Sequence, residues 1–111
     1  MGKFSKNKGR RGELEFSKVC HEHGHLGVRR GQQFCGASGD ADVIGLPGIH
    51  VEVKRTEKLS LYPAMSQAKG DAKPGLLPVV AHKRNHAEWL IVMRAEDFFT
   101  LYNNSDVGDD E

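Results

Sequence analysis

Nowhere does this sequence hold a run of about 18 apolar residues, the length a membrane-spanning helix needs. Its opening residues are polar and basic, so no signal peptide is expected and the chain is expected to act in the cytoplasm. Cysteine is scarce: Cys20 and Cys35 are too few for a disulfide scaffold and fit a reducing compartment. A large charge of one sign is missing too, since the formal net charge is +1. The glycine-rich stretch lacks the Gly-Lys-Ser/Thr ending of a Walker motif and is not one. No segment reads as a helix for base recognition. With 111 residues the chain has enough material for one modest core and too little for two.

The charge that is present is unevenly spread. Lys3, Lys6, Lys8, Arg10 and Arg11 crowd the start with no acid among them. Asp106, Asp109, Asp110 and Glu111 hold four of the 15 acidic side chains, and without them 16 basic residues face 11 acidic ones. A basic arm of this kind binds phosphates by releasing condensed counterions. Residues 1–9 are expected to form this arm without regular structure, 10–104 a single domain, and 105–111 a disordered acidic tail.

The stretch from Gly39 to Lys54 carries the chemistry. Two β-branched runs flank Leu46-Pro47-Gly48 and read as strand, tight turn, strand. A three-residue loop sets Gly45 opposite Ile49, Val43 opposite Val51 and Asp42 opposite Glu52; a four-residue loop would move the two acids onto a diagonal. Facing side chains on an antiparallel pair lie roughly 4.5–5.5 Å apart, where like charges repel. A divalent cation between the two carboxylates removes that repulsion, because hard cations prefer oxygen ligands. Strand alternation puts Lys54 on the face of Glu52, while Val51 and Val53 turn to the core. Asp40 is a further acid on the Asp42 face.

A helix is expected over Arg10 to His23, with Glu13, Phe16, Val19, Cys20 and His23 along one broad face and Gly24 as its C-cap. Glu13 then points inward and needs a partner, for which the hairpin site is the candidate. Glu15 lies opposite, within reach of Arg11 and Lys18. A short strand follows over His25 to Arg30, then a glycine-rich loop in which Gln32, Gln33 and Ser38 can donate to a phosphate. A helix from about Ala64 to Lys73, strands over Leu76 to His82 and Trp89 to Met93, and a closing helix over Ala95 to Tyr102 complete the chain. In that last helix Phe98, Phe99 and Tyr102 are expected to pack inward. The order α-β-β-β-α-β-β-α describes an α/β fold, a mixed β-sheet flanked by helices.

Asp42, followed ten positions later by Glu52-Val53-Lys54, resembles the metal-binding core of the PD-(D/E)xK nucleases. With Arg10-Arg11-Gly12-Glu13-Leu14-Glu15-Phe16, then His23-Gly24 and Val28-Arg29, the pattern is similar to the small archaeal-type Holliday junction resolvases, which also occur in viruses. The similarity runs from about Arg10 to Phe99. It implies a restriction-endonuclease-like fold and a homodimer, possible phage encoding, and work in DNA recombination and repair. It also implies Mg²⁺, replaceable by Mn²⁺, held by Asp42, Glu52, the Val53 carbonyl and Glu13. By the same similarity Lys54 acts on the attacking water, Ser38 matches a serine near the site, and Gln67 matches a glutamine beside the lysine. Lys3, Lys6, Lys8, Arg10, Arg11, Arg29, Arg30 and Arg55 are the expected DNA contacts.

The resulting expectation is an endonuclease that resolves four-way junctions by paired nicks, needing no small-molecule cofactor. Two alternatives stand beside it: the same fold acting on flaps, nicks or ends, and a DNA-binding module without cleavage. A zinc site from Cys20, His21, His23, His25 and Cys35 is a weaker rival, because these residues lack the paired close spacings zinc sites show.

Overall fold

The computed structural model describes residues 2–31 and 41–109, and for residues 2–8 the backbone alone. Three helices and five strands follow one another as α1 (Gly2–Glu22), β1 (Arg29–Arg30), β2 (Val43–Ile44), β3 (Ile49–Arg55), α2 (Leu61–Asp71), β4 (Leu77–Lys83), β5 (Leu90–Met93) and α3 (Ala95–Asn103). This is the expected α-β-β-β-α-β-β-α order. The strands lie side by side in chain order in one mixed sheet. β3 and β4 run parallel through the α2 crossover, and the other neighbours are antiparallel.

The hairpin follows from its turn chemistry. Pro47 presets the second position of a β-turn, and Gly48, at φ +86°, takes the third, where an L side chain is disfavoured. Ile49 N donates to Leu46 O at 3.1 Å and closes the turn. The ladder then pairs Val43 with Val51, the register expected from a three-residue loop. Gly45 sits at φ +106°, and a Cβ there would fall 2.5 Å from the carbonyl oxygen of Gly27, so this position admits only glycine.

The central strands are covered on both faces, which explains their nearly continuous apolar runs. On one face Phe16 and Cys20 of α1 pack against Val43, Val51, Val79 and Ala81. On the other, Ala64, Met65 and Ala68 of α2 pack against Val80. The small side chains at 64 and 68 share one helix stripe and bring α2 close to the sheet.

Three expectations are corrected. Helix α1 starts at Gly2, eight residues ahead of Arg10; no proline interrupts this stretch, and lysine and arginine are good helix formers. Strand β1 is limited to Arg29–Arg30, because His25 to Val28 form a turn in which Val28 N donates to His25 O. The aromatic side chains of α3 are exposed: Phe98 is 49% and Phe99 56% accessible. The one buried residue of α3 is Asp97, which accepts from Arg94 Nε at 2.8 Å. Periodicity identified an apolar stripe, but both faces of the central sheet are already occupied by α1 and α2.

Candidate active site

Strand alternation sends Val51 and Val53 to the α1 face and His50, Glu52 and Lys54 to the α2 face. Val43 belongs to the α1 face, so Asp42 turns the other way, towards Glu52. The two carboxyls come close enough for the charge of Asp42 to act on Glu52. Burial is the first cause that pushes the Glu52 carboxyl up to about 8, and the charge of Asp42 adds to it. Asp71 raises it further, and Lys54 pulls it down.

Asp42 is anchored by the backbone of β3, its Oδ2 accepting from Val53 N at 2.8 Å. A strand residue projects its N–H and C=O to the same side, so the Val53 carbonyl is turned towards Asp42 as well. Lys54 Nζ donates to Gln67 Oε1 at 2.9 Å, which brings α2 into the site. Gln67 and Asp71 lie one turn apart on the stripe that also holds Ala64 and Ala68.

Glu13 sits apart from this group. Its Oε1 accepts from Arg30 Nε at 2.8 Å, with the Glu13 side chain 12% exposed. Burial raises the Glu13 carboxyl above its usual range, the Arg30 bond opposes this, and the Asp42 charge adds to it. Glu13 therefore senses Asp42 electrostatically while its hydrogen bond goes to Arg30. Among the described residues, no three His, Cys, Asp or Glu side chains stand close enough together to hold a metal. What is assembled is a pair of carboxyls, Glu52 buried and Asp42 half-buried, with an amine beside it.

No protein-family model, curated protein or solved structure matches the chain. The chemistry is therefore read from the side chains themselves. Asp42 and Glu52, set against each other with Glu52 buried, form an all-oxygen donor pair of the type hard divalent cations prefer.

The basic positions are divided. Arg10, Arg11 and Arg29 are exposed. Lys3, Lys6 and Lys8 fall on the first turns of α1, their side chains outside the described set. Arg55 is held away from a free role: its Nε donates to Glu15 Oε2 at 3.3 Å and its Nη1 to Lys83 O at 3.4 Å. Glu15 thus pairs with Arg55 instead of Arg11 and Lys18. Gly12 makes this possible, since a Cβ there would lie 2.7 Å from the Cβ of Arg55.

Ser38, Asp40, Gln32, Gln33 and Cys35 lie outside the described residues. Two of the three histidines of the zinc alternative are engaged by backbone: His21 Nε2 with Val28 O at 2.8 Å and His23 Nδ1 with Val19 O at 2.9 Å. Two site residues escaped the sequence reading. Asp71 was detectable as the residue four after Gln67 on the same helix. His50 was detectable as a polar residue two before Glu52 on a strand covered on both faces.

Proposed function

We propose that this protein is a Mg²⁺-dependent endonuclease that cuts branched DNA, four-way junctions in particular, and acts as a homodimer with a restriction-endonuclease-like fold. The observation that carries the reading is the pairing of half-buried Asp42 with buried Glu52 on one sheet face, with Lys54 and Gln67 alongside. A structural core gains nothing from two acids set against each other with one of them buried. Burying a carboxylate without compensation is costly, whereas a cation site uses that arrangement directly.

Asp42, Glu52 and the Val53 carbonyl are the groups that would hold Mg²⁺, with Mn²⁺ as a substitute. The chemistry such an ion supplies when bound is neutralisation of phosphate charge and a more acidic water. Lys54 stands on the same face as Glu52, where its ammonium stabilises charge building on the phosphate oxygens. Gln67 fixes the direction of that ammonium group. Arg30 extends the positive edge beside the site, held in place by Glu13, and Arg10, Arg11 and Arg29 add exposed cations for the DNA backbone. Contacts of this kind report phosphate position and branch shape rather than base identity.

Support for the homodimer comes from unused apolar surface. Leu90 and Ile91 on β5 and Phe98, Phe99, Leu101 and Tyr102 on α3 are all exposed. A two-fold pair burying this surface would present two sites to the approximate two-fold of a four-way junction.

The test is cleavage of a labelled four-way junction and of a linear duplex of matching sequence, in Mg²⁺ and in EDTA, by wild type and Glu52→Gln. Symmetric nicking of the junction alone, lost in EDTA and in the variant, is the expected result. Cutting of both substrates assigns a broader nuclease activity. Binding without cleavage assigns a DNA-binding module.

A further inference from the structure

We propose that His50 is a positioning residue for the ion-binding carboxylate of Glu52, an inference that rests on the metal-site reading above. His50 is only 2% exposed, one of the largest fully buried side chains in the protein. Its Nε2 lies 2.8 Å from Glu52 Oε1, with the two side chains 2% and 3% exposed. Both residues point to the same face of β3, two positions apart, so the contact is set by strand geometry.

The neighbours of His50 make Glu52 its evident polar partner. On the adjoining strand β4 the positions level with His50 and Glu52 are Pro78 and Val80, whose side chains offer no hydrogen-bonding group. His50 also lines a cleft together with Ala41, Ile44, Leu76 and Lys73. Asp71 and Asp42 are the charged groups that act on the ring from α2 and β2.

A buried carboxylate has rotational freedom about its last bond unless one oxygen is fixed. With the proton on Nε2, the imidazole donates to Oε1 once Glu52 is ionised, which leaves Oε2 as the oxygen that would hold the ion. Partners that hold a ligating carboxylate typically change metal affinity by about 10–100-fold when removed. Such a loss is also the way to separate this role from simple core filling.

The experiment measures Mn²⁺ binding by the electron paramagnetic resonance signal of free Mn²⁺, using the full chain at pH 8. Wild type, Glu52→Gln, His50→Gln, His50→Leu and His50→Asn are compared. The Gln amide nitrogen takes the place of Nε2, so His50→Gln retains affinity close to wild type. His50→Leu keeps the volume without the donor and weakens binding about 10–100-fold. His50→Asn, whose amide stops short of Glu52, behaves like His50→Leu and serves if the leucine variant does not fold. Folding is checked by far-UV circular dichroism and a cooperative melt.

Wild-type affinity in folded His50→Leu or His50→Asn overturns the positioning role and leaves the metal site standing. Absence of Mn²⁺ binding by wild type overturns the metal reading and this inference with it. A second measurement needs no variant: the ¹⁵N resonances of the wild-type imidazole show the Nε2–H tautomer and move on Mg²⁺ addition. Resonances that report the other tautomer, or that stay fixed in saturating Mg²⁺, also overturn the role.

Discussion

Lys54 Nζ donates a hydrogen bond to Gln67 Oε1 at 2.9 Å, tying the end of β3 to the crossover helix α2. The pair is exposed, so its contribution to stability is small, but it limits where the ammonium group points. Gln67→Leu is therefore expected to lower junction cleavage about tenfold at unchanged melting temperature, the size of a single hydrogen bond to a charged group discounted for solvent. Lys54→Met is expected to remove roughly 10²–10⁴ of the rate, the range of a positioned proton-transfer or charge-stabilising group. Single-turnover cleavage at saturating Mg²⁺ measures both. Equal losses in Mn²⁺ affinity and in rate would show that the pair supports the ion and not the reaction.

The raised Glu52 carboxyl makes stability depend on pH in a defined direction. The Glu52 carboxyl is pushed up from 4.5 to about 8, so between these values the folded chain holds a proton that the unfolded chain has released. Raising pH through that window lowers stability. His50, pushed below its ordinary 6.5 by burial, acts oppositely: below that pH the unfolded chain takes up a proton the buried imidazole resists. Calorimetry in EDTA is expected to show a falling melting temperature from pH 6.5 to 8, flattened in Glu52→Gln. Mg²⁺ displaces the proton, so its stabilising shift is larger at pH 8 than at 6.5. A melting temperature that rises across this interval contradicts the assignment.

Arg30 links Glu13 to the basic edge, and its side chain is 39% exposed. Arg30→Ala is expected to cost at most about 1 kcal/mol of stability, the ordinary range for a partly exposed ion pair. Its effect on DNA is larger: weaker junction binding at every sequence, with the salt slope reduced by about one. Fluorescence anisotropy across a salt series checks this.

Much of the fold was legible because local chemistry determined it. Pro47 and Gly48 specify the turn, the turn specifies the register, and strand alternation then places Glu52 and Lys54 on one face. The facing of Asp42 and Glu52 needed nothing more. What escaped the sequence were relationships between distant segments. Glu15 meets Arg55 across 40 residues because Gly12 opens the space, and Glu13 meets Arg30 instead of joining the carboxyl pair. The stripe of Phe98 and Tyr102 was visible in its spacing, yet spacing does not say whether a surface is left to cover it.

The hairpin geometry gives a stability prediction independent of the chemistry. Gly45→Ala places a methyl group against the backbone of Gly27 at a positive φ, and is expected to destabilise the protein by about 2 kcal/mol or more. Gly70→Ala on α2 meets open space and is expected to stabilise it by about 0.5–1 kcal/mol. Urea denaturation of the two variants gives the comparison.

The central claim is that Asp42 and Glu52 together bind one divalent ion. Crystals soaked in Mn²⁺ and measured at the manganese absorption edge test it most directly. An anomalous peak within coordination distance of both carboxylates, absent in Glu52→Gln, is the predicted result. A well-ordered crystal with no peak between them, or with its only peak elsewhere on the surface, would contradict it.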